Sequence, residues 1–243
     1  MALTKKELKS LLKLWDRFLS GRTRLDVRVM FIGVPHVEQK HLVRRLSHGI
    51  FVDLDREFDP FDANEVWPIP TKFELPGAEG RVIHADCDRG MSSYQTLRQS
   101  RAILGEALMF LYDVTSRDSF KAAQEYYEGS FELFGIVNRP SNTQGIFTRL
   151  LNKWSRKPSE KSLPPYIVVA HKVDEPKARW AVTSEEGQAW STRIRAEFHE
   201  MSAKTGEGCT KDILRDLACR GAIRSLQEIE AEARSTSNNE KAS

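Results

Sequence analysis

The chain of 243 residues carries a net charge of +3 and is 40% apolar and 29% charged, an ordinary globular composition. So small a net charge does not favour a nucleic-acid-binding protein, and three scattered cysteines favour a reducing compartment over a disulfide scaffold. No apolar run approaches the roughly 20 residues of a membrane span, and neither terminus has an acylation or prenylation signal, so we expect a cytoplasmic protein without a lipid anchor.

The first predicted element is a basic amphipathic helix over residues 4–20, within an N-terminal segment that we place at 1–25. The apolar residues follow the i, i+3, i+4, i+7 spacing of one helix face: Leu8, Leu11, Leu12, Trp15 and Leu19. Up to Arg24 the segment has seven basic and two acidic residues, a net charge of +5. Three roles are open for this helix: packing on its own domain, docking on a protein partner, or peripheral contact with an anionic membrane surface.

Strands and helices alternate in the main domain, which we place at 26–233. Strands are predicted at 27–32, 66–75, 81–86, 107–114, 166–170 and 200–202. Helices are predicted around Leu42 and Leu46 and at 93–104, 119–134, 184–198 and 209–233. This alternation predicts an α/β fold with a doubly wound, mostly parallel six-stranded sheet. The polar residues 234–243 are expected to form a disordered tail.

An insertion over 129–164 separates one helix from the next strand and is longer than most connections of this kind. Apolar residues at positions 147, 150, 151 and 154 have helical spacing and predict an added helix. Aromatic and basic residues are interleaved in the insertion. Such a surface would suit a protein partner.

Two predicted loops lie at the carboxyl edge of the sheet, where doubly wound folds bind their ligands. One is His171-Lys172-Val173-Asp174, and the other is Ser202-Ala203-Lys204. With residues 112–120, they resemble the Asn-Lys-x-Asp motif, the second guanine loop and the fourth strand of the Ras superfamily of small GTPases, Rab and Ras types. The order and spacing of these segments indicate a Ras-like fold of the P-loop type over residues 26–226.

The resemblance implies particular contacts to guanine. Asp174 would accept hydrogen bonds from the base, the Lys172 stem would cover it, and a backbone amide of the 202–204 loop would meet the guanine oxygen. Phe51 resembles the aromatic residue that packs on guanine. His171 replaces the asparagine of the family and is either a modified base contact or a loop residue that is free to vary.

The loop after the first strand departs from the P-loop pattern G-x-x-x-x-G-K-[ST]. Gly33 fits the first glycine, but three other residues stand where Gly, Lys and Ser/Thr belong: Glu38, Gln39 and Lys40. A glutamate there would place a carboxylate among phosphate oxygens, which is a repulsive contact. The pattern therefore predicts a degenerate phosphate site.

The switch regions depart from the family in the same way. Phe61 stands where the Mg²⁺-binding threonine belongs, and in the D-x-x-G-Q motif Gly90 is kept while Cys87 and Met91 replace Asp and Gln. Neither Cys87 as a redox thiol nor the scattered histidines 36, 41, 48 and 84 as a metal site is favoured by the sequence.

The resemblance thus implies a degenerate, pseudo-GTPase member that acts as a protein-binding module in signalling or trafficking, with little or no GTP hydrolysis. It would hold GTP or GDP weakly, if at all, and without Mg²⁺. The implied guanine-side residues are Phe51, His171, Lys172, Asp174, Ser202, Ala203 and Lys204. The degenerate phosphate-side residues are Gly33 and Gly90, and no catalytic or metal-binding residue is expected. Two alternatives stay open: a working GTP/GDP switch, and a scaffold that binds through its N-terminal helix and insertion.

Overall fold

The computed structural model describes residues 4–34, 39–51, 68–89, 105–133 and 164–242. The strands are β1 (Arg24–Ile32), β2 (Ile69–Glu74), β3 (Val82–Arg89), β4 (Ala107–Asp113), β5 (Tyr166–His171) and β6 (Glu197–Met201). The α-helices within these ranges are α1 (Lys5–Phe18), α2 (Gln39–His48), α3 (Arg117–Leu133), α4 (Ser184–Arg193) and α5 (Lys211–Ala242). The predicted helix at 93–104 and the added helix of the insertion lie outside the described residues.

The strands form one six-stranded sheet in the order β2-β3-β1-β4-β5-β6. β2 pairs antiparallel with β3, and all other neighbouring strands are parallel. Helices cover both faces of this sheet. The predicted doubly wound α/β fold of the Ras-like type is therefore confirmed.

Two apolar cores lie on opposite faces of the sheet. One core joins α1, α2 and α5 to the sheet, and the other joins α3 and α4 to it. The central strand β4 is buried at all seven positions. Its continuous apolar sequence follows from this, because a strand covered on both faces has no solvent-facing side chains.

α1 packs on the body of its own domain. Thr4 and Glu7 form a capping box at its start, which satisfies backbone N–H groups of the first turn. Trp15 is 1% exposed, and its indole N–H donates to the Arg22 carbonyl oxygen at 2.9 Å. Arg17 pairs with Glu230, and Glu7 lies 3.8 Å from Arg220. Since both contacts have the same sequence offset, α1 and α5 run side by side in the same direction.

The structure corrects two predicted boundaries. The helix predicted at 184–198 ends at Arg193, and β6 begins at Glu197. Arg195 takes the left-handed conformation with φ of 58°, which turns the chain out of the helix and into the strand. The tail predicted as disordered, 234–243, is helical up to Ala242, because its polar sequence contains no proline or glycine to end α5. None of the helices in the described residues is both long enough and apolar enough to cross a membrane.

Candidate functional site

The carboxyl ends of four strands bring the predicted loops together. In the sheet register, Ile32 of β1 lies beside Phe110 of β4. Asp113 at the end of β4 lies beside His171, and His171 lies beside Met201 at the end of β6. Parallel strands therefore deliver the loops after β1, β4, β5 and β6 to one edge of the sheet, as expected for a ligand site of this fold.

His171 joins the two predicted guanine loops. Its side chain is buried, and its Nε2 accepts a hydrogen bond from the backbone N–H of Ala203 at 3.2 Å. Because Nε2 acts as an acceptor in this contact, the ring is neutral and its proton is assigned to Nδ1. The His171 carbonyl oxygen also accepts from the Val114 N–H. This buried contact argues against the interpretation of His171 as a loop residue that is free to vary.

Lys172 is held by a buried carboxylate. Its backbone takes φ of 65°, and its Nζ lies 3.1 Å from Oδ2 of Asp113. The other carboxylate oxygen of Asp113 accepts from the backbone N–H and the hydroxyl of Thr115. The Asp113 carboxylate is buried whereas the Lys172 side chain is partly exposed, so loss of the lysine would leave a buried negative charge without its partner. The ammonium group of Lys172 is therefore directed towards β4.

Asp174 differs from its neighbours in the loop. It is half-buried, and within the described ranges no group hydrogen-bonds to its carboxylate or pairs with it. A carboxylate accepts hydrogen bonds readily from a planar pair of N–H donors. The Asp174 carboxylate thus keeps its hydrogen-bonding capacity open within the described part of the chain.

The second loop is a tight turn stabilised from within. The Ser202 hydroxyl oxygen accepts from the Thr205 N–H at 3.1 Å, and the Ser202 carbonyl oxygen accepts from the Gly206 N–H at 2.9 Å. Gly208 follows with φ of 67°, and a Cβ at this position would lie only 2.0 Å from the Glu200 carbonyl oxygen. The loop therefore requires glycine where the chain passes closest to β6.

Arg45 of α2 fastens the second loop from the other side, and the sequence analysis missed it. Its Nε donates to the carbonyl oxygen of Ala203 at 2.6 Å, and its Nη2 donates to that of Lys204 at 2.8 Å. The Arg45 guanidinium also lies 5.9 Å from the ring centroid of Phe51. Two arginines, Arg44 and Arg45, lie between Leu42 and Leu46, and nothing in the sequence distinguishes them. The partners of Arg45 are backbone atoms more than 150 residues away.

Phe51 lies beside α2, half-buried against the core that α1, α2 and α5 form with the sheet. Its ring centroid is 5.3 Å from that of His41, with the two planes tilted by 41°. The predicted aromatic residue is thus close to Arg45 and, through it, to the second loop. The side chain of Lys204 is exposed, and its contribution to this arrangement is its carbonyl oxygen.

Gly33 and Gln39 occupy predicted phosphate-side positions and lie within the described residues. Gln39 is buried, and its Nε2 donates to the Gly33 carbonyl oxygen at 2.7 Å. A Cβ at position 33 would lie 2.9 Å from the Leu111 carbonyl oxygen, so glycine is required there. The position predicted to lack the phosphate-binding lysine therefore holds a neutral amide that bonds within the loop. Residues 35–38, including Glu38, lie outside the described residues.

Cys87 points into the core next to the site. It is fully buried, and burial raises the pKa of its thiol to about 12, since the thiolate would be desolvated. Its neighbours Asp86 and Asp88 are half-buried on the other face of β3. Three predicted positions lie outside the described residues: Phe61, Gly90 and Met91.

No metal centre can be built from the described part of the chain, where no three His, Cys, Asp or Glu side chains lie close enough to hold an ion. A cavity of about 140 Å³ lies between β6 and α5, lined by Ile167, His199 and Leu217 among others. It lies nearer the amino-terminal ends of β5 and β6 and so is separate from the loops described above.

No protein-family model matches the chain. The chain is similar to Ras-like protein B of Aspergillus fumigatus, with 31% identity over 116 residues, 47% of this chain and 47% of that protein. The match thus spans about half the length of that relative. The chain is also similar to the GTP-binding protein YPT52 of Saccharomyces cerevisiae, with 24% identity over 208 residues, 79% of this chain and 80% of that protein. Together with the sheet topology, these similarities support a small-GTPase-like domain of the Ras superfamily.

Proposed function

We propose that this small-GTPase-like domain is a protein-binding module in signalling or trafficking, with little or no GTP hydrolysis. The observation that carries the proposal is that side chains of the protein itself hydrogen-bond to backbone groups in the loops at the carboxyl edge of the sheet. His171 accepts the Ala203 N–H, and Gln39 donates to the Gly33 carbonyl oxygen. The protein-binding role rests on the aromatic and basic sequence of the insertion over 129–164.

On the base side, a guanine nucleotide would have to compete with internal contacts. The Ras-like pattern uses a backbone amide of the second loop to meet the guanine oxygen, whereas the Ala203 amide here is bonded to a buried imidazole. Lys172 is likewise engaged by Asp113. Displacing a buried hydrogen bond leaves its acceptor unsatisfied, at a cost of about 1–3 kcal/mol.

On the phosphate side, the groups that small GTPases use are replaced. Phosphoryl transfer depends on positioning and on positive charge from lysine and Mg²⁺, with little covalent chemistry supplied by the protein. Gln39 offers a neutral amide in place of that lysine, and Phe61 and Cys87 offer no Mg²⁺-side oxygen. Met91 stands where the water-orienting glutamine belongs. The combination supports a domain that does not hydrolyse GTP.

Incubation with γ-labelled GTP and Mg²⁺ tests the absence of hydrolysis. We expect phosphate release no faster than from a buffer blank, and the same result for the Asp174→Ala variant. The intrinsic rate of a small GTPase, on the order of 10⁻⁴ s⁻¹, is measurable in single-turnover format. Turnover at that rate, abolished by Asp174→Ala, would overturn the proposal.

A weakly bound guanine nucleotide, as in a GTP/GDP switch, is the second candidate, and the open carboxylate of Asp174 favours it. On the leading proposal, by contrast, the His171 ring occupies the Ala203 N–H. The shorter side chain of His171→Asn should then free this N–H and tighten GDP binding by about tenfold, the worth of one hydrogen bond. Calorimetric titration with GDP, with Mg²⁺ and with EDTA, measures this. For the native chain we expect weak binding that is the same in both buffers.

The result that would favour the switch is equally definite. Native protein purified without added nucleotide would then release stoichiometric GDP or GTP on denaturation, and EDTA would weaken binding. His171→Asn would in that case leave the affinity unchanged or lower it.

A further inference from the structure

α1 turns its lysines away from the domain. At about 100° per residue, four lysines fall within an arc of about 100° on the side of the helix opposite Leu11 and Trp15. These four residues, which we call the lysine face, are all exposed: Lys5, Lys6, Lys9 and Lys13. Three of them, at positions 5, 9 and 13, form a row about 12 Å long, since each residue rises about 1.5 Å.

The positive charge of the lysine face is not neutralised within the described part of the protein. None of its four ammonium groups takes part there in an ion pair or a hydrogen bond. Of the two acidic residues of α1, Asp16 falls within the same arc, about one turn beyond Lys13, and Glu7 falls outside it. Both carboxylates face arginines outside α1. Asp16 pairs with Arg81, and Glu7 closes the capping box and faces Arg220.

The apolar face of α1 is not available to a second ligand. Leu11, Leu14 and Trp15 are buried against the domain, and α5 runs alongside. A helix that lies in a membrane interface normally inserts its apolar face among the acyl chains. α1 therefore presents charge to its surroundings and keeps its hydrophobic residues inside.

We propose that the lysine face binds the surface of an anionic phospholipid bilayer by electrostatic attraction alone, without insertion of apolar residues. Each basic residue close to such a surface contributes about 1 kcal/mol, roughly a fivefold change in partitioning. The contact is then weak, reversible and sensitive to salt. It is independent of nucleotide and so goes beyond the function proposed above.

A bilayer fits the lysine face better than an acidic protein does. The centres of protein interfaces are rich in aromatic and other apolar side chains. The exposed large apolar residues of the described chain are Ile50 and Ile229, and neither lies on α1. Lysine is a hydrated point charge without the fork geometry by which arginine recognises individual carboxylates. A row of lysines therefore suits a diffuse layer of phosphate headgroups.

Vesicle co-sedimentation of the full chain tests the proposal. The test variant carries three substitutions in the lysine face: Lys5→Gln, Lys9→Gln and Lys13→Gln. The control variant removes the same charge from exposed lysines outside α1: Lys72→Gln, Lys121→Gln and Lys177→Gln. Vesicles of phosphatidylcholine alone are compared with vesicles that also contain phosphatidylserine.

We expect the native chain to bind only the phosphatidylserine vesicles. The test variant should partition about a hundredfold less, and the control variant should stay close to the native chain. Salt at about 1 M, where the Debye length is about 3 Å, should release the bound protein. Circular dichroism and urea midpoints of both variants verify that they are folded.

Three results would overturn the proposal. One is no binding to phosphatidylserine vesicles at low salt. Another is an equal loss of vesicle binding in the test and control variants, which would mean that binding depends on the net charge of the protein and not on the lysine face. The third is binding to polyglutamate but not to vesicles, which would assign the lysine face to an acidic protein segment.

Discussion

Replacing Trp15 with alanine is expected to destabilise the protein by about 3–5 kcal/mol, the usual cost of removing a buried Trp or Phe side chain. The indole is 1% exposed in the core that α1, α2 and α5 form with the sheet, and its N–H donates to the Arg22 carbonyl oxygen, which would lose this partner. A loss of this size is a large fraction of the 5–15 kcal/mol that typically stabilises a domain. Urea unfolding followed by circular dichroism measures it.

Lys9→Ala is the matched control, because it lies in the same helix with its side chain exposed. Its expected effect is within about 0.5 kcal/mol. If Trp15→Ala also left the urea midpoint unchanged, α1 would not be docked on the domain in solution. The same comparison separates loss of packing from a change in intrinsic helix propensity, since alanine favours the helix in both variants.

Gly208→Ala is expected to cost about 2–5 kcal/mol and to disturb the second loop. A left-handed φ costs a non-glycine residue about 1–2 kcal/mol, and overpacking adds about 1–3 kcal/mol. The new methyl group would lie 2.0 Å from the Glu200 carbonyl oxygen, so the backbone of β6 or of the loop must move. The urea midpoint and the amide resonances of residues 200–207 report the two effects.

Gly77→Ala isolates the conformational part of that cost. Gly77 has a similar φ of 71°, but nothing lies within 4 Å of a Cβ built there. We expect it to lose about 1–2 kcal/mol without any change at residues 200–207. Equal destabilisation by the two substitutions would mean that the contact between a Cβ at position 208 and the Glu200 carbonyl oxygen adds nothing to the free-energy cost.

The central strands were predictable because their sequence has only one interpretation. The run of residues 107–114 is apolar at nearly every position, and β4 is buried along its whole length. Patterns of this kind depend on the covering of both sheet faces and not on any single neighbour. The same holds for β5, whose predicted span of 166–170 differs from the observed Tyr166–His171 by one residue.

Boundaries set by distant contacts were not predictable. Residues 194–198 have no strong helix-breaking signal, yet the chain leaves α4 at Ile194 and pairs with β5 from Glu197. The Phe198 ring packs close to Gly187, where a Cβ would meet it at 2.8 Å. The strand is therefore selected by sheet pairing and side-chain packing, which override local preference.

In the candidate site, the sequence predicted which chemical groups were missing but not what replaced them. The sequence shows that position 39 is not a lysine. It does not show that the Gln39 side-chain amide donates a hydrogen bond to the Gly33 carbonyl oxygen. His171 and Arg45 act on backbone atoms of the second loop, at Ala203 and Lys204. Contacts with backbone atoms leave no complementary side chain in the sequence, so no pattern of residue types could have revealed them.

The bond between Gln39 and Gly33 has a consequence for the amount of folded protein. A bound ligand stabilises a folded protein by an amount that rises with the logarithm of ligand concentration. Hydrogen bonds made by Gln39 and His171 within the chain are present at every concentration of GTP and GDP. On the proposed function, cellular abundance of this protein would be uncoupled from the guanine nucleotide pool and from the energy state of the cell.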